Sequence, residues 1–208
     1  DSTLKNTSIS LITSIREGLN YGWHNHSLRV VLLILVMLNF LFIGPLQVGI
    51  TSLAHSRFQG GAVALGIMQS AWGGGGFLGT LAPLILQNLP KFGILILILA
   101  SLQGFGLFLL SFIQNIALAS ITIAVLGLCS RFFTIVGITW IQKRTPPEIL
   151  GRVMSLGTFS SLGIAPFSYA LAGVLVNFNM TILFSVAGST MLATIAFLAL
   201  NSSVREIN

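Results

Sequence analysis

Arg131 is the residue around which chemistry in this sequence would gather. It stands near the middle of an apolar run, 116–141, with Thr134 three positions on and therefore on the same helix face. Holding a cation at the centre of a bilayer costs about 2.5–3.5 kcal/mol on insertion scales, and such residues persist where they line a wet cavity or meet a counter-charge. No Asp or Glu falls within any of the apolar runs, so a carboxylate partner has to come from another chain, from further sequence or from a substrate. The bland alternative is an arginine that snorkels to the interface or serves a structural ion pair. Asn39, Gln47, Gln69 and Gln103 are the other hydrogen-bonding side chains set in apolar surroundings, and singly each suits a helix–helix hydrogen bond.

Enzyme chemistry finds little support. His24, His26 and His55 lie outside the apolar runs and none has a His or carboxylate at metal-ligand spacing on a helix. An intramembrane Ser–His hydrolase would need a histidine within the bilayer. Cys129 is the single cysteine, which excludes an intrachain disulfide and a thiolate metal site. The run Gly73–Gly76 with Gly79 contains a formal G-x-G-x-x-G, but a dinucleotide loop needs a preceding strand and an acid about 20 positions on, and position 99 is leucine. Gly75 and Gly79 instead make a small-xxx-small face for close helix contact, with a point of flexibility. The expectation is a protein that is not an enzyme and that carries no metal and no cofactor.

Composition explains why. The 208 residues are 54% hydrophobic and 7% charged, with a mean hydropathy of +0.95. A soluble domain carries about 25% charged residues. This chain cannot cover a water-facing surface, and an ordinary soluble enzyme, a disordered segment and a nucleic-acid-binding domain are excluded. A bilayer crossing takes about 20 mainly apolar residues, and six stretches meet that ruler: 30–50, 62–87, 94–113, 116–141, 153–176 and 181–200. The expected fold is an all-α, polytopic membrane helix bundle with six transmembrane helices, its solvent the lipid bilayer. Residues 1–28 read as a cytoplasmic linker with a short amphipathic helix over 8–19, residues 29–201 as the bundle and 202–208 as a tail.

Orientation follows from the basic residues. With six crossings, Lys5, Arg16, Arg29, Lys91, Lys143, Arg144, Arg152 and Arg205 share one side and Arg57 alone takes the other. The positive-inside rule then places both termini in the cytoplasm. The net charge of +6 sets topology and gives no reason to invoke nucleic acid. Pro45 and Pro166 lie inside the first and fifth stretches and should kink them. Between the fourth and fifth, Thr145 is placed to cap the next helix, Pro147 suits its first turn and Glu148 has capping-box spacing. The chain opens on Asp1 and not on Met, which suggests preceding sequence.

The loop Thr145-Pro146-Pro147-Glu148-Ile149-Leu150-Gly151-Arg152-Val153-Met154-Ser155 resembles the Pro-x-x-x-x-Gly-Arg-Val-x-Ser signature that leads into the eleventh helix of major facilitator superfamily exporters. Within that superfamily the chain looks most like the enterobactin-exporter and macrolide-efflux branch, the transmembrane secretion effectors. Ile15-Arg16-Glu17-Gly18-Leu19 is similar to the basic linker before the seventh helix, Asn39-Phe40 through Gly44-Pro45 to that helix, and Pro166 through Ala172-Gly173 to the small-residue stretch of the eleventh. The resemblance covers nearly the whole chain as the C-terminal half of a twelve-helix transporter. It departs from the superfamily over 79–93, where only Lys91 and Gly93 remain of an acidic and basic pattern.

The resemblance implies a multi-pass protein of the plasma (inner) membrane that exports a small molecule, such as a drug or siderophore, by secondary-active alternating access. Its partner would be the N-terminal six-helix half, absent from these residues. It implies that Asn39, Gln47, Gln69, Arg131 and Thr134 face the substrate cavity or the other half, and that Gly151 and Arg152 stand at the cytoplasmic mouth as gating residues, with Gly75, Gly79, Pro45 and Pro166 shaping the helices. An alternative from another class is a non-transporting six-helix protein acting as an assembly partner or homodimer. The membrane domain of an ATP-driven exporter fits less well, because the loops are too short.

Overall fold

Long apolar stretches leave the backbone no partner but itself, and helices satisfy every amide within the segment. The computed structural model describes residues 26–58, 60–85 and 91–200, with the side chains of 26–33, 152 and 156–162 outside that description. Those residues form six long helices and no strand. They are α1 (His26–Ser52), which runs on through a π-helical turn (Leu53–Arg57), α2 (Gly61–Ile85), α3 (Phe92–Leu110), α4 (Ile116–Arg144), α5 (Pro147–Phe178) and α6 (Met180–Leu200). Four stretches are long and apolar enough to cross a membrane: Ile34–Arg57, Phe92–Leu110, Ile116–Arg144 and Met180–Leu200. In α2 the glycine run dilutes the apolar content, and in α5 the described apolar part is the shorter Gly163–Phe178.

The polar breaks act as caps. Asn115 Oδ1 accepts the amide of Ala117 at 2.8 Å and starts α4, and Asn179 Oδ1 accepts that of Thr181 at 2.8 Å and starts α6. Pro147 occupies the first turn of α5, with Glu148 beside it at the positive end of the helix dipole. Thr145 does not cap α5. Its hydroxyl donates back to the Ile141 carbonyl at 2.7 Å, so it closes α4, and Pro146 holds the N-cap position. The first stretch extends beyond its expected end at Ile50 to Arg57, whereas α3 stops at Leu110, short of the expected Ile113. Arg57, at the end of the extended α1, hydrogen-bonds to the carbonyls of Leu110, Ser111 and Ile113 at and beyond the end of α3.

The main contacts join α1 to α5, α2 to α4, α3 to α6, α3 to α4 and α1 to α6. Exchanging the first three helices for the last three turns α1–α5 into α4–α2, turns α1–α6 into α4–α3 and leaves α3–α6 unchanged. The dominant pairings therefore obey a two-fold rule relating α1–α3 to α4–α6. Leu46, Ile50, Leu53, Met68, Leu107, Ile123, Leu126, Phe184 and Met191 fill the core. Phe77, Phe105, Phe167, Phe178 and Phe197 are exposed, an apolar exterior suited to lipid.

At one end of the bundle Phe92 stacks on Trp140, with ring centroids 4.7 Å apart, and the Arg144 guanidinium lies over the same indole at 5.1 Å. This joins the start of α3 to the end of α4 and gathers Lys91, Lys143 and Arg144 there. Arg57 belongs to the opposite end. The amphipathic helix expected over 8–19, the tail 202–208, and Lys5, Arg16 and Arg205 lie outside the described residues.

Candidate functional site

Glycine decides how α2 and α4 meet. A Cβ at Gly75 would overlap the Ala124 carbonyl, one at Gly79 the Leu128 carbonyl, and one at Gly127 the Trp72 carbonyl. The two backbones thus touch along a seam that admits no side chain. Beside it, Arg131 reaches across α2, its Cγ 3.1 Å from where a Cβ on Gly76 would stand. The guanidinium is exposed and has no hydrogen-bond or ion-pair partner among the described residues. Gln69, also exposed, lies on the face of α2 that carries Gly76, two turns and about 10 Å away along the axis. Thr134 is exposed one turn beyond Arg131, and its hydroxyl donates to the Ser130 carbonyl at 2.8 Å. Arg131, Gln69 and Thr134 therefore border the same seam.

Asn39 and Gln47 lie elsewhere, on α1. Asn39 is half-buried and its amide nitrogen donates to the Leu35 carbonyl at 2.8 Å, one turn back in its own helix. Gln47 lines an open cleft of about 620 Å³ between α1 and α5, with Val48, Thr51, Ser52, His55, Tyr169 and Val176. Among the described residues no hydrogen bond joins any two of Asn39, Gln47, Gln69, Arg131 and Thr134.

Pro45 is buried in α1 and Pro166 is exposed in α5, both helices run on through their prolines, and the two meet close to these positions. The Ser168 hydroxyl accepts the Gly44 amide at 2.9 Å and donates to the Phe40 carbonyl, two groups that an unbroken helix pairs with each other. A Cβ on Gly44 would overlap Ser168. Gly151 is exposed, with open space where a Cβ would stand, so no close helix contact depends on it. The side chain of Arg152 lies outside the described ones.

No family model, no curated protein and no solved structure matches this chain.

Two residues escape a reading of the sequence. Arg57, assigned only to topology there, donates from Nη1 to the carbonyls of Leu110 (3.0 Å), Ser111 (3.2 Å) and Ile113 (2.9 Å) and from Nη2 to Thr181 Oγ1 (3.1 Å). It thereby joins the last carbonyl of α3, and two carbonyls just beyond that helix, to the first turn of α6, satisfying groups that a helix end leaves unpaired. His55, placed outside the apolar runs from the sequence, sits on the π-helical turn that continues α1 and lines the cleft. The π turn, with Phe58 N donating to the Leu53 carbonyl at 3.1 Å, leaves no trace in composition or periodicity.

Proposed function

We propose that this chain is the C-terminal half of a secondary-active membrane transporter, resembling the efflux branch of the major facilitator superfamily, and that Arg131 meets an anionic or polar part of the substrate or a carboxylate of the other half. The observation that carries this reading is the Arg131 guanidinium, which has no partner among the described residues, midway along a 29-residue apolar helix and beside the close α2–α4 contact that Gly75, Gly79 and Gly127 permit. An intramembrane cation without an internal counter-charge is costly, and substrate or coupling pathways are where such residues persist. The two-fold rule among the helix pairings also supports it, since transporter halves are commonly built from inverted three-helix repeats. The reading includes six crossings, both termini in the cytoplasm, residence in the inner membrane and rocking of two halves about a midplane site. The gathering of Lys91, Lys143 and Arg144 at one end supports the orientation.

The test is accumulation of ethidium and of a radiolabelled macrolide in cells expressing the full coding region. Arg131→Ala should raise accumulation to that of cells without the protein while its amount in the membrane is unchanged, and Arg131→Lys should retain part of the export. Export unaffected by Arg131→Ala overturns the assignment.

A second reading has its own observation. Gly66, Gly73 and Gly74 on α2 have open space where a Cβ would stand, a small-residue edge suited to another helix. A non-transporting six-helix protein that pairs with a second copy would use that edge. Oxidative cross-linking of Gly74→Cys into a homodimer, with no export of either probe, would favour it.

A further inference from the structure

Two lysines flank the aromatic stack where α3 begins and α4 ends. Phe92 and Trp140 are both buried, with their rings 11° from parallel and centroids 4.7 Å apart, so the two helices are in contact at this level. Lys91 directly precedes Phe92, Lys143 comes less than one turn after Trp140, and both lysines are exposed. Neither ammonium has a hydrogen-bond or ion-pair partner among the described residues. The Arg144 guanidinium, 5.1 Å over the Trp140 ring, adds a third positive charge. Glu148, in the first turn of α5, is the one carboxylate among the described residues, so this end of the bundle keeps an excess of positive charge.

Toward the middle of the bundle the same faces turn apolar. On α3 the exposed positions recur as Lys91, Ile94, Ile98, Leu102 and Phe105, a single stripe at helical spacing with the cation at its head. Ile94 and Ile98 lie about 5 Å and about 10 Å from Lys91 along the helix axis. On α4, Thr139 is exposed one turn inward from Lys143 on the same face, and its hydroxyl has no partner among the described residues. Cations at the helix ends, a hydroxyl one turn in and an apolar stripe beyond follow the order of phosphate, glycerol ester and acyl chain in a phospholipid.

We propose that the α3/α4 junction binds an anionic phospholipid, its phosphate between Lys91 and Lys143 and an acyl chain along Ile94, Ile98 and Leu102. Ammonium groups suit a phosphate as point charges that impose no bidentate geometry. A zwitterionic choline headgroup brings its own cation to the same place and is disfavoured. Each basic residue close to a membrane surface favours anionic lipid by about fivefold. The proposal needs the helices to cross a bilayer and does not depend on transport.

The test is native mass spectrometry of the full-length protein, released from micelles holding phosphatidylglycerol and phosphatidylcholine of the same acyl chains in equal amounts. The unaltered protein should retain phosphatidylglycerol about tenfold over phosphatidylcholine. Lys91→Gln combined with Lys143→Gln should bring that ratio close to one, and each single substitution should remove part of it. Lys91→Arg with Lys143→Arg should preserve it. The single variants carry the test if the double variant fails to fold. An unchanged ratio in the glutamine variants, or no preference in the unaltered protein, overturns the proposal. Loss of phosphatidylglycerol to excess inorganic phosphate would assign the cluster to free phosphate and overturns it too. A lysine-dependent lipid preference in a protein whose export ignores Arg131→Ala would sink the transporter reading and leave the lipid site standing.

Discussion

Ser168 of α5 and Gly44 of α1 are joined by a hydrogen bond of 2.9 Å from the Gly44 amide to the Ser168 hydroxyl, and that hydroxyl also donates to the carbonyl one turn back, at Phe40. A side chain of one helix thus enters the hydrogen-bond ladder of another, next to Pro45, where the ladder already lacks a donor. Only glycine admits the approach, because a Cβ at position 44 would overlap Ser168.

The two partners should respond unequally to truncation and growth. Ser168→Ala frees the Gly44 amide and Phe40 carbonyl to pair with each other, and interhelical hydrogen bonds in membranes are worth only about 0.6 kcal/mol on average. Gly44→Ala forces α1 from α5 and should cost about 1–3 kcal/mol. Reversible unfolding in mixed micelles would rank them, and a larger loss for Ser168→Ala would show that the hydroxyl, not the close approach, holds the pair.

Along α2 the glycines divide sharply. Gly75→Ala and Gly79→Ala collide with α4 backbone and should each destabilise by about 1–3 kcal/mol. Gly73→Ala and Gly74→Ala meet open space and should be neutral or stabilising by up to about 1 kcal/mol, through helix propensity. Circular-dichroism melts of the four variants check the contrast, and equal losses at all four would contradict the α2–α4 seam.

Arg57 should behave as a clamp between helix ends. Arg57→Ala removes a charged donor from the α3 terminus and should cost about 2 kcal/mol, while Arg57→Lys keeps the charge without the fork and should cost less. Hydrogen exchange should quicken at the end of α3 and the start of α6 in Arg57→Ala and leave the start of α3 unchanged. A change confined to α1 would disprove the clamp.

Sidedness is open to chemical labelling. In a Cys129→Ala background, Ser56→Cys should react with an impermeant maleimide added outside intact cells, and Lys143→Cys only after permeabilisation. Both positions are exposed, and native Cys129 is buried. The reverse pattern would invert the orientation read from the basic residues.

Element boundaries show where reading the sequence succeeds and where it stops. The helical stretches were legible because apolar runs of bilayer length force the backbone to bond within itself, and Asn115, Asn179 and Pro147 mark their starts through chemistry that acts over one turn. Gly75 and Gly79 were legible as a contact face for the same local reason. Thr145 was misassigned because one hydroxyl between two helices can serve either, and its choice of the Ile141 carbonyl depends on how the chain turns at Pro146.

The sequence by itself determined an all-helical chain, apolar on the outside, with a cation at mid-helix that no carboxylate of the same runs can neutralise. These properties depend on composition and on neighbours within a few residues. Tertiary structure alone decided which polar groups share a place. It set Arg131 and Gln69 along one seam, moved Gln47 into a cleft with His55 and Tyr169, and drew Arg57 across to helices whose ends lie more than 50 and more than 120 positions away in the chain. Such contacts are set by how closely glycine lets helices approach and by how a π turn aims its side chains, and both depend on the partner helix being present.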